Sequence, residues 1–488
     1  MKNDGDKSLA RYAQGFFEMT PMAPHVQSRR SELIDAVRTL VTERLGKETG
    51  DAVAAQLARF PLVSTSDHHA IIDNPYWVNA NLITALPCIG NAQAMPHLIV
   101  FSFASVSINN ASGYPRGIEF HGGMGGEGPT IRLPILPDKL KMGTVYGMRA
   151  FTQSDVANAF KLLIDREKEK KVTTEKAALI RAFMNKHLLA EDVLAQKSLS
   201  SQITLLNHRL WPDLFHAADR GGAANDLPEL IYVDIETLVA HLLLSRHVGD
   251  KESLINRALF DPPMMASILQ HFDGIPGAFG RNDNSGTYMF WALDEKLHRI
   301  GLSLDAGFLV SSDGSFRLRF DRNSIEDALR SGKIFPSTAL CYLIVAFHYG
   351  MKCLGGFCQV HDLTVLKEAW QKVLRECNEA NEADALEQLQ TQDMNAGGMM
   401  LTYVRTPQDR LMIATGIDML VERAMDTSLK TYLSIAQNVT LHESMLPMLP
   451  GAYSVFYPIH ERTIDLTHVS PDTITHGTLL YKKLLHHL

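Results

Sequence analysis

The feature that most constrains this chain is the run Leu98-Ile99-Val100-Phe101-Ser102-Phe103. Its apolar side chains occupy successive positions instead of alternating ones, so a strand formed here has no face left for water. Such a strand belongs inside a sheet that other layers cover. At 488 residues the chain also exceeds what one apolar core supports, since cores stop growing at roughly 250–300 residues. With 45% hydrophobic and 21% charged residues, it has the composition of a chain folded throughout. The expected fold is α/β or α+β: a mixed sheet core with several helical layers, in two or more packed units.

Texture along the chain suggests five sections. Residues 1–60 read as an N-terminal helical segment, with Ser31 as N-cap and Leu33, Val37, Leu40, Val41 and Leu45 at helical spacing. A break is expected between Gly46 and Gly50. Residues 61–150 change to short apolar runs separated by Gly, Pro and Asn, the pattern of an α/β core. Residues 151–225 look like a charged helical insert, capped at Ser154 or Thr174 and ended at Gly221-Gly222. Residues 226–360 read as a second mixed unit. It opens with a strand at 230–235 and includes a hairpin about Ser311-Ser312-Asp313-Gly314, where Asp-Gly suits a tight turn. A helix should follow Asn323, with Glu326 as capping-box partner. Residues 361–488 are mainly helical in texture.

The net charge of −7 and the lack of any basic block longer than Lys168-Glu169-Lys170-Lys171 argue against a nucleic-acid partner. Five cysteines, Cys88, Cys341, Cys353, Cys358 and Cys377, are odd in number and sparse, as reduced cytoplasmic thiols would be. The start, Met1-Lys2-Asn3-Asp4-Gly5-Asp6, lacks the apolar core of a signal peptide. The longest apolar run, residues 339–347, is far short of the roughly 20 that span a bilayer. These features predict a cytoplasmic protein with a small-molecule substrate and no membrane or nucleic-acid partner. They leave open whether it forms a homo-oligomer.

The 20 histidines direct attention to Ser64-Thr65-Ser66-Asp67-His68-His69-Ala70-Ile71-Ile72-Asp73-Asn74. If the segment is extended, Asp67 and His69 project to one face and His68 to the other; in a turn all three would converge, and imidazole with carboxylate suits zinc, manganese or iron. The triplet Asp67-His68-His69 resembles the one that names the DHH phosphoesterases. That resemblance implies a manganese site and hydrolysis of phosphodiester or pyrophosphate bonds. The pattern His68-His69-x-x-x-Asp73 is similar to the active-site motif of peptide-synthetase condensation domains and related acyltransferases. It implies that His69 lies beside the reacting amine or hydroxyl while Asp73 supports the loop. Asn74 stands where that family has glycine, and no Asp-Phe-Gly-Trp-Gly segment follows.

A second cluster runs from Ser107 to Gly117 and on to His121-Gly122-Gly123-Met124-Gly125-Gly126. Asn109, Asn110 and Arg116 suit the negative end of a substrate, and His121 could complete the metal site. In Gly355-Gly356-Phe357-Cys358-Gln359-Val360-His361-Asp362, the expectation is a helix stop at the glycines and a new N-cap at Asp362, the alternative being His361 as a base oriented by Asp362. The chain therefore reads first as a metal-dependent enzyme, a hydrolase of a small polar or anionic substrate. Asp67, His68, His69 and His121 would hold the ion, Asp73 would support them, and the ion would lower the pKa of its bound water. Two alternatives are a metal-free acyl or aminoacyl transferase with His69 as base, and a non-catalytic ligand-binding or complex subunit.

Overall fold

The computed structural model describes residues 4–89, 95–215, 227–392, 394–422, 429–466 and 469–487, so the expected boundary at Gly221-Gly222 lies outside the described residues. Helix α1 (Pro24–Leu45) starts on a proline, whose fixed φ suits a first helical position, and ends at Gly46. With φ at 95°, Gly46 takes a conformation that a Cβ would oppose. Helix α2 (Lys47–Arg59) follows at once, so the expected pair and break are present. Ser31, however, lies inside α1 and donates its hydroxyl to the Ser28 carbonyl instead of capping.

The elements that build the site follow in chain order. They are β1 (Leu62–Ser64), α3 (Pro75–Ala85), β2 (His97–Ser102), the hairpin β3 (Gly117–His121) and β4 (Thr130–Pro134), then α4 (Thr174–Phe183) and α5 (Leu199–Leu214). After them come β5 (Glu229–Asp234), α6 (Ile235–Leu242), β6 (Lys352–Leu354), α7 (Phe357–Glu376), α8 (Gly416–Glu422) and α9 (Leu449–Phe456). Strands β6, β1, β2 and β5 form one parallel sheet in that order. Strands from the 61–150 and 226–360 stretches are thus neighbours in a single sheet. The fold is mixed α/β, with several small antiparallel sheets beside the parallel one.

Every residue of β2 is buried. Leu98 and Val100, with Leu230 and Tyr232 of β5, enter a core shared with α3, α4 and α5. Ile99 and Phe101, with Ile231 and Val233, enter a second core shared with α1, α2 and α6. The continuous apolar run follows from this, because alternate side chains serve different cores.

Local differences from the sequence reading have simple causes. The hairpin around Gly314 forms between Phe308–Ser311 and Arg317–Arg319, with Gly314 at φ 71°. The next helix is capped by Asp321, whose side chain accepts the Ser324 N–H, while Glu326 pairs with Arg330 one turn on. Thr152 and Thr173, not Ser154 and Thr174, cap the helices they precede. Gly355-Gly356 starts a helix instead of stopping one: α7 begins at Phe357, so Asp362 lies within it and caps nothing. No helix among the described residues is long and apolar enough to cross a membrane.

Because Phe101 is wholly buried between β1 and β5, Phe101→Ala should cost about 3–5 kcal/mol of unfolding free energy. Denaturant titration measures it, and a loss under about 1 kcal/mol would contradict the two-sided burial described here.

Candidate functional site

Where strand order reverses, between β1 and β6, the chain leaves the two strands toward opposite faces. From β1 it runs to α3, in the first core; from β6 it enters α7, in the second. A crevice must open beyond the carboxyl ends of such a strand pair, and in open α/β sheets this is where ligands bind. Here it is a cavity of about 640 Å³. The end of β1 contributes Thr65, Ser66 and His68, the first turn of α7 contributes Phe357, Cys358 and Gln359, and the start of α3 contributes Tyr76 and Trp77. Phe103, Tyr342 and Ala452 add apolar wall, so the lining is mostly hydrophobic.

Local chemistry holds these pieces in place. Asn74 caps α3 by accepting the Tyr76 N–H at 2.9 Å, which gives the asparagine a structural reason to stand there. A Cβ on Gly356 or Gly397 would strike the Tyr76 hydroxyl, so both glycines admit that ring. Gln359 donates to Thr65 Oγ1 at 2.6 Å and ties the first turn of α7 to the end of β1. On the other side, the Phe103 N–H donates to the Asp67 carbonyl and the His69 N–H to the Phe103 carbonyl.

Of the adjacent histidines, His68 reaches the crevice. Its ring meets Trp77 edge-on at 5.2 Å between centroids, and its Nδ1 is buried without a hydrogen bond. Burial pushes its pKa down to about 4 against the opposing pull of the Asn110 side chain, so the ring is neutral at pH 7. His69 is absent from the crevice lining and wholly buried. Its Nε2–H donates to the Ser200 carbonyl at 2.9 Å, and its Nδ1 accepts from the Ser102 hydroxyl at 2.7 Å. As placed, it has no nitrogen left for a metal or a substrate proton. Period-two alternation along the extended segment accounts for the split.

Asp67 lies beneath the crevice and accepts hydrogen bonds from Ser66, Asn81 and the Tyr232 hydroxyl. Burial lifts its pKa to about 6, with those three donors holding it down. Asp73 supports a loop: its carboxylate accepts the Glu119 N–H at 2.7 Å, and burial followed by the nearby Glu119 charge raises its pKa well above the usual range. His121 is engaged elsewhere, Nδ1 to Asp418 Oδ2 at 2.6 Å, in a cluster where Lys176 also holds Asp418 and Glu422. Burial works against charge on that imidazole, but the Asp418 hydrogen bond and charge outweigh it and its pKa goes up.

The four residues read from the sequence as metal ligands, Asp67, His68, His69 and His121, therefore do not meet as one donor set. Among the described residues no group of three or more His, Cys, Asp and Glu side chains is placed to hold an ion. Arg116 is likewise turned inward. It donates to the Leu136 carbonyl and pairs with Asp138 at 3.2 Å, closing the β3–β4 hairpin. Asn109 is exposed outside the crevice lining, whereas Asn110 accepts the Ser112 N–H and acts on His68. At the other end of the chain, His460 is exposed and pairs with Glu461, while His468 lies outside the described residues.

Sequence reasoning missed Ser66 as a crevice residue, the Asn81 and Tyr232 donors, and the first turn of α7. The last had a signal, a Gly-Gly pair between a short apolar run and a helical one. The donors had none, because Tyr232 and Asn81 reach Asp67 only through folding. No protein-family model and no curated protein matches this chain.

Two outcomes follow. His69→Ala should destabilise the protein by about 2–4 kcal/mol, since it empties a buried ring and strands the Ser200 carbonyl. An unchanged thermal midpoint would refute the structural role. His68 binds its proton near pH 6.5 when unfolded but only near 4 when folded, so its contribution to stability is lost as pH falls through that window. His68→Gln should thus gain on wild type by about 2 kcal/mol between pH 7 and pH 5 in paired denaturant titrations, and a constant gap would contradict the shift.

Proposed function

We propose that this chain is an enzyme that takes a mainly apolar small molecule into the crevice beyond β1 and β6 and acts on its polar end. One observation carries the reading. The crevice lies where the parallel sheet reverses its strand order, and a buried hydrogen-bonded network reaches its wall through Ser66. Its volume falls within the roughly 300–1,000 Å³ of small-ligand sites. The apolar lining favours a substrate with a hydrophobic body over the small polar one that the loop composition suggested.

His68 contributes a neutral imidazole, which exchanges a proton or hydrogen bond with the ligand without burying a charge. This keeps the transferase-or-hydrolase class of reaction while moving the working imidazole from His69 to its neighbour. Asp67, His68, His69 and His121 face different surroundings, so the reading rests on the crevice and the groups at its wall.

Binding of dansyl-labelled undecanoate, followed by fluorescence, tests the reading. Saturable binding at one site per chain is expected. Ala452→Trp, which adds bulk to the crevice wall at a half-buried position, should weaken it by about tenfold or more with an unchanged thermal midpoint. Equal affinity in that variant would put the ligand elsewhere and overturn the assignment.

A further inference from the structure

The groups under the crevice are linked in one direction. Ser66, on the wall, donates its hydroxyl to Asp67 Oδ1 at 2.6 Å and lies 3.2 Å from Ser64 Oγ. Asp67 is completely buried, and the groups that act on it are the neutral donors Ser66, Tyr232 and Asn81. Its Oδ2 takes the Asn81 amide at 2.7 Å and the Tyr232 hydroxyl. A carboxylate neutralised by a cation is a poor base; one steadied only by neutral donors remains basic near neutral pH. The hydroxyl it touches is the one that lines the crevice. The plainer reading, in which Ser66 merely satisfies a buried carboxylate, leaves unexplained why a group with two other donors is also joined to the crevice wall.

Resting on the crevice reading, we propose that Ser66 is the nucleophile of this site, that Asp67 is its base, and that the substrate is an ester or thioester of an apolar carboxylic acid. Ser66 Oγ bonds to the acyl carbon as Asp67 takes the hydroxyl proton. The bond from carbon to the alcohol oxygen or thiol sulfur then breaks, and that atom leaves with the proton from Asp67. Water, or an acceptor alcohol or amine, next gives its proton to Asp67 and attacks the acyl carbon. Ser66 departs and recovers its proton, so no oxidant, reductant or further reactant is consumed. The acyl chain occupies the apolar part of the crevice. Gln359 holds the first turn of α7 against Thr65, the residue before Ser66, so that turn borders the crevice beside the nucleophile.

The experiment uses the full chain, a long-chain alkyl fluorophosphonate and p-nitrophenyl octanoate. One phosphonyl adduct per chain is expected, located by peptide mass spectrometry on Ser66 and absent from Ser66→Ala. Release of p-nitrophenol should fall by about a hundredfold or more in Ser66→Ala and in Asp67→Asn. In wild type the rate should rise with pH through about 6, as Asp67 ionises. Ser66→Ala should still bind dansyl-labelled undecanoate, which separates loss of chemistry from loss of the site. An adduct on another residue, or hydrolysis unchanged in Ser66→Ala, overturns the nucleophile while leaving the crevice reading standing. Failure of wild type to label while it still binds the dansyl probe removes the nucleophile alone; failure to bind the dansyl probe removes both. Because the adduct is located on the wild-type chain, the result does not depend on how either variant folds.

Discussion

The rest of the structure depends on β2 being buried on both faces. A parallel strand with β1 on one side and β5 on the other sends alternate side chains into two separate cores. Both cores must be roofed by helices, because the chain has to cross over between parallel strands. Once helices lie on both faces, the carboxyl ends of the strands share one edge. The opposite exits from β1 and β6 leave a gap there that no backbone fills. The crevice is a consequence of topology, and only its lining is a matter of residue choice.

That lining is held by buried polar groups that do not face it. Glu236 accepts the N–H groups of Ala104 and Ser105 and fixes the turn that follows Phe103. Burial, followed by the Asp234 charge, raises its pKa to about 8. Asp73 pins the segment after His69 to β3, and the Lys176–Asp418–Glu422 cluster ties α4 to α8 beside His121. Each group is worth most because it is dry: removing one partner strands another in a medium of low polarity. His69, His121, Arg116 and Asp73, singled out in the sequence, are engaged in buried contacts of this kind.

Legibility tracked how local the cause was. The strand at residues 98–103, the helix pair with its break at Gly46 and the Asp313-Gly314 turn are written in spacing and backbone preference, which act over a few residues. Helix starts were misplaced by one or more residues, because Thr152, Thr173 and Asp321 compete with neighbouring Ser, Thr and Asn for the same amides. The segment around Asp67, His68 and His69 was singled out from composition. Composition left open whether it is extended or a turn, and alternation along an extended segment separates His68 from its neighbours without saying which side meets the crevice.

By itself, then, the sequence determined that this chain forms a layered protein of mixed α and β structure around at least one strand with no wet face, because apolar periodicity is a property of neighbours in the chain. Tertiary structure alone decided that strands from its two β-containing stretches join one sheet, and that His68 meets the crevice while His69 is consumed by Ser102 and Ser200. It also decided that Asp67 accepts hydrogen bonds from Tyr232 and Asn81. Those outcomes turn on contacts such as His69 with Ser200 and Tyr232 with Asp67, 131 and 165 residues apart, or on which side of a strand faces which core, and no short-range rule carries that information.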